Sequence, residues 1–74
     1  MEQKPAIAVL DVVALLADLP EHRLVRGQVG TVVERLGDDA FEVEFSDDDG
    51  RTYAELAVEG HLLLVLHHRP VKAA

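Results

Sequence analysis

Several groups of side chains in this sequence have types and spacings that invite a chemical reading. Asp47-Asp48-Asp49-Gly50 offers carboxylate oxygens to a hard cation such as calcium. A calcium loop needs alternating ligands and a distal glutamate, which three consecutive acids do not supply. His61, His67 and His68 suggest zinc. Adjacent residues on a strand point to opposite faces, so His67 and His68 would diverge there, and no third ligand stands at a useful spacing. The acidic run reads as a solvated turn, and no metal or other cofactor is expected. Cysteine is absent, and Ser46, the only serine, abuts that acidic turn with no histidine partner. Glu42 and Glu44 fall on one face of a strand, where solvation is the ordinary state of a carboxylate. General acid–base work needs a cleft that shifts a pKa, and a small barrel with a filled interior seldom contains one. The expectation is that the protein is not an enzyme.

Arg23, Arg26 and Arg35 raise nucleic-acid binding as another chemistry. Phosphate contacts dominate that affinity, yet seven Lys+Arg stand against fourteen Asp+Glu, a net charge of −7. Base stacking needs an exposed aromatic platform. Phe41 and Phe45 are required inside, which leaves Tyr53 alone. No nucleic acid is expected as a partner, and an RNA-binding small barrel is the competing reading.

The elements that must position these residues are organised around Arg26-Gly27-Gln28-Val29-Gly30-Thr31-Val32-Val33. Two glycines stand at the entrance to a β-branched run. Gly27 and Gly30 can take a positive φ or admit a close backbone, which a β-carbon would forbid. The valines are stiff at χ1 and suit a pleated surface. With Arg26, the glycines mark either a loop that grips a ligand backbone or the corner of a barrel, and the corner is the simpler reading.

Around this corner the chain divides into short strands. Asp11 to Asp18 is apolar on both alternate sets and is closed by Leu19-Pro20, which favours a strand; a short helical turn over 6–10 stays open. Leu19 to Gln28 is a loop in which Leu24 and Val25 tuck against the core. A strand follows from Gly30 to Leu36, with a bulge near Glu34-Arg35 to keep Glu34 out of the interior. Gly37-Asp38-Asp39 turns the chain. Phe41, Val43 and Phe45 then alternate with Glu42 and Glu44, the pattern of a half-buried antiparallel strand. Gly50 supplies the left-handed position of the next hairpin. Thr52 to Val58 points Ala54, Leu56 and Val58 inward. Glu59-Gly60-His61 breaks the run as one 3₁₀ turn, and Leu62 to Leu66 forms the last strand. Residues 1–9 are a lead-in, 10–70 the domain and 71–74 a tail. Five short strands with turns every eight to twelve residues predict an all-β fold, a small five-stranded SH3-like barrel.

Four segments also carry a resemblance. Asp11-Val12-Val13-Ala14-Leu15-Leu16 through Asp18-Leu19-Pro20, Arg26 through Glu34, Glu42-Val43-Glu44-Phe45, and Gly50 with Thr52-Tyr53-Ala54 together resemble a family of short bacterial proteins of unknown function. These SH3-like proteins are frequent in cyanobacteria, and the resemblance covers Leu10 to Pro70. It implies the barrel and brings no catalytic or cofactor-binding residues. Members are often encoded beside other small uncharacterised proteins, which implies an antitoxin-like or immunity-like role.

Localisation and partners complete the expectations. The N-terminus lacks the basic start and apolar core of a secretion signal, and no apolar run approaches the ~20 residues that span a bilayer. With no cysteine, the chain suits the cytoplasm, and no membrane partner is expected. The first and last strands are apolar on both faces, while a closed barrel buries only one. The surplus must meet the lead-in, a second copy or another protein. Val12, Leu16, Leu63 and Val65 are expected to carry this contact, most simply in a homo-oligomer such as a symmetric dimer. The function expected is a non-enzymatic protein-interaction module, with an accessory subunit of an enzyme complex as a further alternative.

Overall fold

A computed structural model describes residues 6–70. Five antiparallel strands form one sheet: β1 (Val12–Leu15), β2 (Val29–Arg35), β3 (Ala40–Ser46), β4 (Thr52–Glu59) and β5 (Leu63–Val65). Single 3₁₀ turns at Pro20–His22 and Gly60–Leu62 are the helical elements. Residues 6–10 hold no helical turn. The expectation of an all-β domain is met.

The spatial order is β4-β3-β2-β1-β5, a meander whose last strand crosses to pair with the first. The valines of β1 and β2 and the Phe-Val-Phe alternation of β3 dictate the strands, because each sends one side-chain set inward. Val13 and Leu15 from β1, Val32 from β2, Phe41, Val43 and Phe45 from β3, Val58 from β4 and Leu63 from β5 share one buried cluster. A flat sheet cannot bring its two edge strands to one core. This one therefore curls into a barrel-like shape around its own inner face. Ala54 and Leu56 point inward and pack against the cluster half-buried.

The long loop after β1 is pinned at its base. Leu19 and Leu24 exchange backbone hydrogen bonds of 2.8 and 3.2 Å across the first 3₁₀ turn, and Arg23 closes that turn in a left-handed conformation. Leu24 is buried as expected, but Val25 is exposed. One side chain suffices to plug this end of the core, and its neighbour points the other way.

The bulge in β2 exists one residue earlier than expected. Val32 pairs with Val43 and Glu34 with Glu42, so Val33 is the extra residue. Inserting it there reverses the phase of everything after Val32 and keeps Glu34 out of the core. Arg35 then caps the following turn, donating from Nε to Gly37 O at 2.9 Å and from Nη2 to Asp38 O at 3.3 Å.

Candidate functional site

The groups with the most evident chemistry are occupied with structure. Asp47 Oδ1 accepts the backbone N–H groups of Asp49 and Arg51, each at 2.9 Å, and Gly50 takes a φ of 81°. This carboxylate thus caps the β3–β4 turn. Arg35 is committed to its own hairpin. The Arg26 backbone N–H donates to Asp18 Oδ1 at 2.8 Å and ties the loop to the end of the first strand segment. Gly27 takes a φ of 93° at this corner with open space around it. Gly30 serves the corner differently, by close approach. His67 and His68 follow β5 rather than belonging to it, so strand alternation does not separate them. Among the described residues no three metal-ligating side chains converge.

What remains is the outer face of the curled sheet. In β1 the inward set is Val13 and Leu15, and the alternate set is Val12, Ala14 and Leu16, of which Val12 is half-buried, Ala14 is buried beneath its neighbours and Leu16 is exposed. Register then fixes the neighbours: Ala14 lies opposite Leu64 of β5 on one side and Val29 of β2 on the other. Leu64, Ala14 and Val29 therefore form an apolar row across three strands. Leu64 is 50% exposed, Val29 44% and Leu16 42%. Val12 and Leu66 are half-buried and lie one row further, joined by the hydrogen bond from Leu66 N to Val12 O at 2.8 Å.

This placement corrects half of the expected contact set. Leu16 is exposed, and Val12 lies on the outer face. Leu63, at 2% exposure, is a core residue, and Val65 packs inward against the core. The cause is the 3₁₀ turn over Gly60–Leu62, which consumes Leu62. Leu63 then opens β5 opposite the inward-facing Leu15, and the phase of the run is set by that pairing. Leu64 is the side chain that β5 presents outward.

One contributor lies before β1 and was not legible as such. Leu10 adopts a φ of 76° and is 75% exposed. The conformation is held from both sides. Asp11 Oδ2 accepts the Ala8 N–H at 2.9 Å, Asp11 N donates to Ala8 O at 3.1 Å, and Leu10 N donates to Val32 O at 2.7 Å. A left-handed leucine is strained, by an amount on the order of 1–2 kcal/mol. The strain places an apolar side chain in water, where Leu10 lines a hollow shared with Val12 and Leu66 and also with the polar His67, His68 and Arg69. The lead-in takes part as well. Ile7 packs against the core, while Ala6 borders a second hollow with Leu16 and Leu64.

Across the sheet the outer face changes character. Glu34 lies opposite Glu42, and Glu44 opposite Glu55. Glu42 and Glu44, expected to be exposed, are half-buried. Further along the same face Glu59 Oε2 lies 3.6 Å from His61 Nδ1. The surface is thus apolar over β5, β1 and the start of β2, and acidic over β3 and β4.

A family model matches residues 9–65, described as a domain of unknown function, DUF4926. The chain belongs to the DUF4926 family. No curated protein and no solved structure gives a significant match. The DUF4926 match takes in all five strands and closes with Val65, the last residue of β5. It also takes in Leu10 and Asp11, while Ala8, which closes the turn around them, lies just before it. The apolar outer row, Leu64, Ala14 and Val29, therefore lies wholly within the DUF4926 unit. Among the described residues no helix is long and apolar enough to cross a membrane.

Proposed function

We propose that this protein is a non-enzymatic protein-interaction module, an SH3-like barrel that acts in the cytoplasm as the antitoxin-like or immunity-like partner of another small protein. The reading rests on one observation. The fold strains the backbone to hold Leu10 out in water, beside the outward set of Leu66 and Val12. Strain of this kind gathers where a conformation serves binding. The strand order and the single 3₁₀ turn before the last strand fit the SH3-like plan. The docking face is the outer surface of β5, β1 and the start of β2, with Leu10, Leu16, Val29 and Leu64 as its exposed apolar side chains.

Charge selects the occupant. The apolar half of the face borders the glutamates of β3 and β4, and the chain carries a net charge of −7. A partner with an apolar patch flanked by lysine or arginine matches both halves. A second copy would match the apolar half and add seven further negative charges. Electrostatic complementarity of this kind steers association and rejects like-charged partners.

The test combines sedimentation with affinity capture from the source cells. The wild-type chain sediments as a monomer and retains one basic protein in equal amount. Leu64→Glu abolishes that capture without unfolding the barrel, and Glu21→Gln leaves it intact. Sedimentation as a dimer that Leu64→Glu dissociates makes the occupant a second copy and overturns the choice of a basic partner. Capture unaffected by Leu64→Glu removes the docking face.

A further inference from the structure

The longest strand of the sheet is also an edge. β4 pairs with β3 from Thr52 to Glu59, with a bulge at Tyr53 that leaves Ala54 to Glu59 as the regular stretch, and among the described residues no strand lies on its other side. Outside the ladders and the 3₁₀ turn that starts at Glu59, no backbone hydrogen bond among the described residues uses a group between Thr52 and Val58. Unpaired N–H and C=O groups therefore line that side of β4, a template on which another strand can form. The opposite edge, β5, is only three residues long. Toward its C-terminal end the β4 edge borders a groove. Leu56 and Val58 form one wall, and Leu19, His22 and Leu62 from the two 3₁₀ turns and their flanks form the other.

We propose that the free edge of β4 accepts an extended segment of another protein, added as a sixth strand, in which lysine or arginine alternates with apolar residues. The alternation follows from sheet geometry. Successive side chains of an added strand point to opposite faces. One set stands beside Glu55, Ala57 and Glu59, all exposed on the outer face. Opposite charges across a ladder stabilise the pairing, so this set is basic next to Glu55 and Glu59. The other set lies beside Leu56 and Val58 at the mouth of the groove and is apolar. Backbone pairing supplies the affinity, and the alternating side chains supply the selectivity.

Charge also argues against a second copy here. An antiparallel β4–β4 contact would put Glu55 and Glu59 of both chains on one continuous face. Like charges on neighbouring strands oppose pairing. The acidic edge therefore guards against self-pairing while remaining open to a basic segment. This surface is separate from the outer face of β5 and β1 and stands whether or not that face docks a partner.

The experiment follows amide hydrogen exchange in the full chain with a capped peptide of about ten residues alternating lysine and valine, a length typical of strands. The outward amides of Ala54 to Glu59 are expected to exchange about tenfold more slowly at saturating peptide. A peptide alternating glutamate and valine gives no protection, and Glu55→Lys with Glu59→Lys removes the effect of the lysine peptide. Leu64→Glu leaves it unchanged, which separates this site from the docking face. Absence of protection at β4, equal protection by both peptides, or protection that moves to β5 overturns the proposal. Protection of β4 that grows with protein concentration in the absence of peptide assigns the edge to a second copy and overturns it too.

Discussion

Gly30 of β2 lies directly opposite Phe45 of β3, and a β-carbon on Gly30 would fall 2.9 Å from Phe45 Cδ1 and 2.7 Å from Val43 Cγ1. The backbone of Glu44 closes the same space at 2.9 Å. The glycine is required by proximity and not by its dihedrals, since Gly27 and Gly50 are the glycines with positive φ. Gly30→Ala is expected to lower stability by about 1–3 kcal/mol through overpacking. Urea denaturation checks it, and an unchanged midpoint would show that the ring can move aside freely.

Phe45 is the largest of the fully buried side chains. Phe45→Ala should cost about 3–5 kcal/mol, enough to unfold a domain whose total stability is of order 5–15 kcal/mol. Circular dichroism melting decides it. A cooperative transition at the wild-type temperature would mean that the inward set of β3 is misassigned.

The phase of β5 is tested by two adjacent substitutions. Leu63→Glu buries a carboxylate in an apolar core and should prevent folding. Leu64→Glu places the same group in water and should shift stability by about 0.5 kcal/mol or less. Thermal melts of the two variants side by side are sufficient. The reverse ranking would restore Leu63 and Val65 to the outer face.

Leu10→Gly should stabilise the chain by about 1 kcal/mol, because glycine adopts the left-handed conformation without strain and an exposed leucine gives up little burial. Part of the gain is lost to the greater freedom of glycine in the unfolded chain. Chemical denaturation measures the balance, and a clear loss of stability would place the Leu10 side chain in the fold's own packing. The same variant should weaken capture of a partner that uses the apolar face.

Asp47→Ala removes the acceptor for two backbone N–H groups at the β3–β4 turn and should cost about 1 kcal/mol. Asp48→Ala, beside it, should cost little. Equal effects from the two would point to the summed charge of the acidic run rather than to one capping carboxylate. The comparison is best made at low salt, where such a charge effect is largest.

Much of the fold was legible because its signals are local. Alternation in Phe41 to Phe45, the glycine at position 50 and the break at Gly60 each identify an element without reference to the rest of the chain. The bulge was legible as a need, since Glu34 had to leave the core, but its position at Val33 depends on how β2 pairs with β3. The candidate surface was harder to read. A run of five apolar residues from Leu62 to Leu66 carries no internal mark of which set faces inward. That choice is made at a distance, by Leu63 pairing with Leu15. Leu10 carried no signal at all, because a left-handed leucine is imposed by its own N–H donating to Val32 O and by the bonds between Asp11 and Ala8, and not by its own preference.

The pairing of β1 with β5 sets an order of events during synthesis. β2, β3 and β4 are joined by short turns and can zip together as soon as they emerge. β1 gains its second neighbour only when Leu63 to Val65 arrive, nearly the whole chain later. Contacts so distant in sequence form slowly. Until then the cluster around Phe45 lacks the Leu63 wall and stays open along one side. A chain at that stage would thus show its interior to chaperones before the outer surface described above exists in final form.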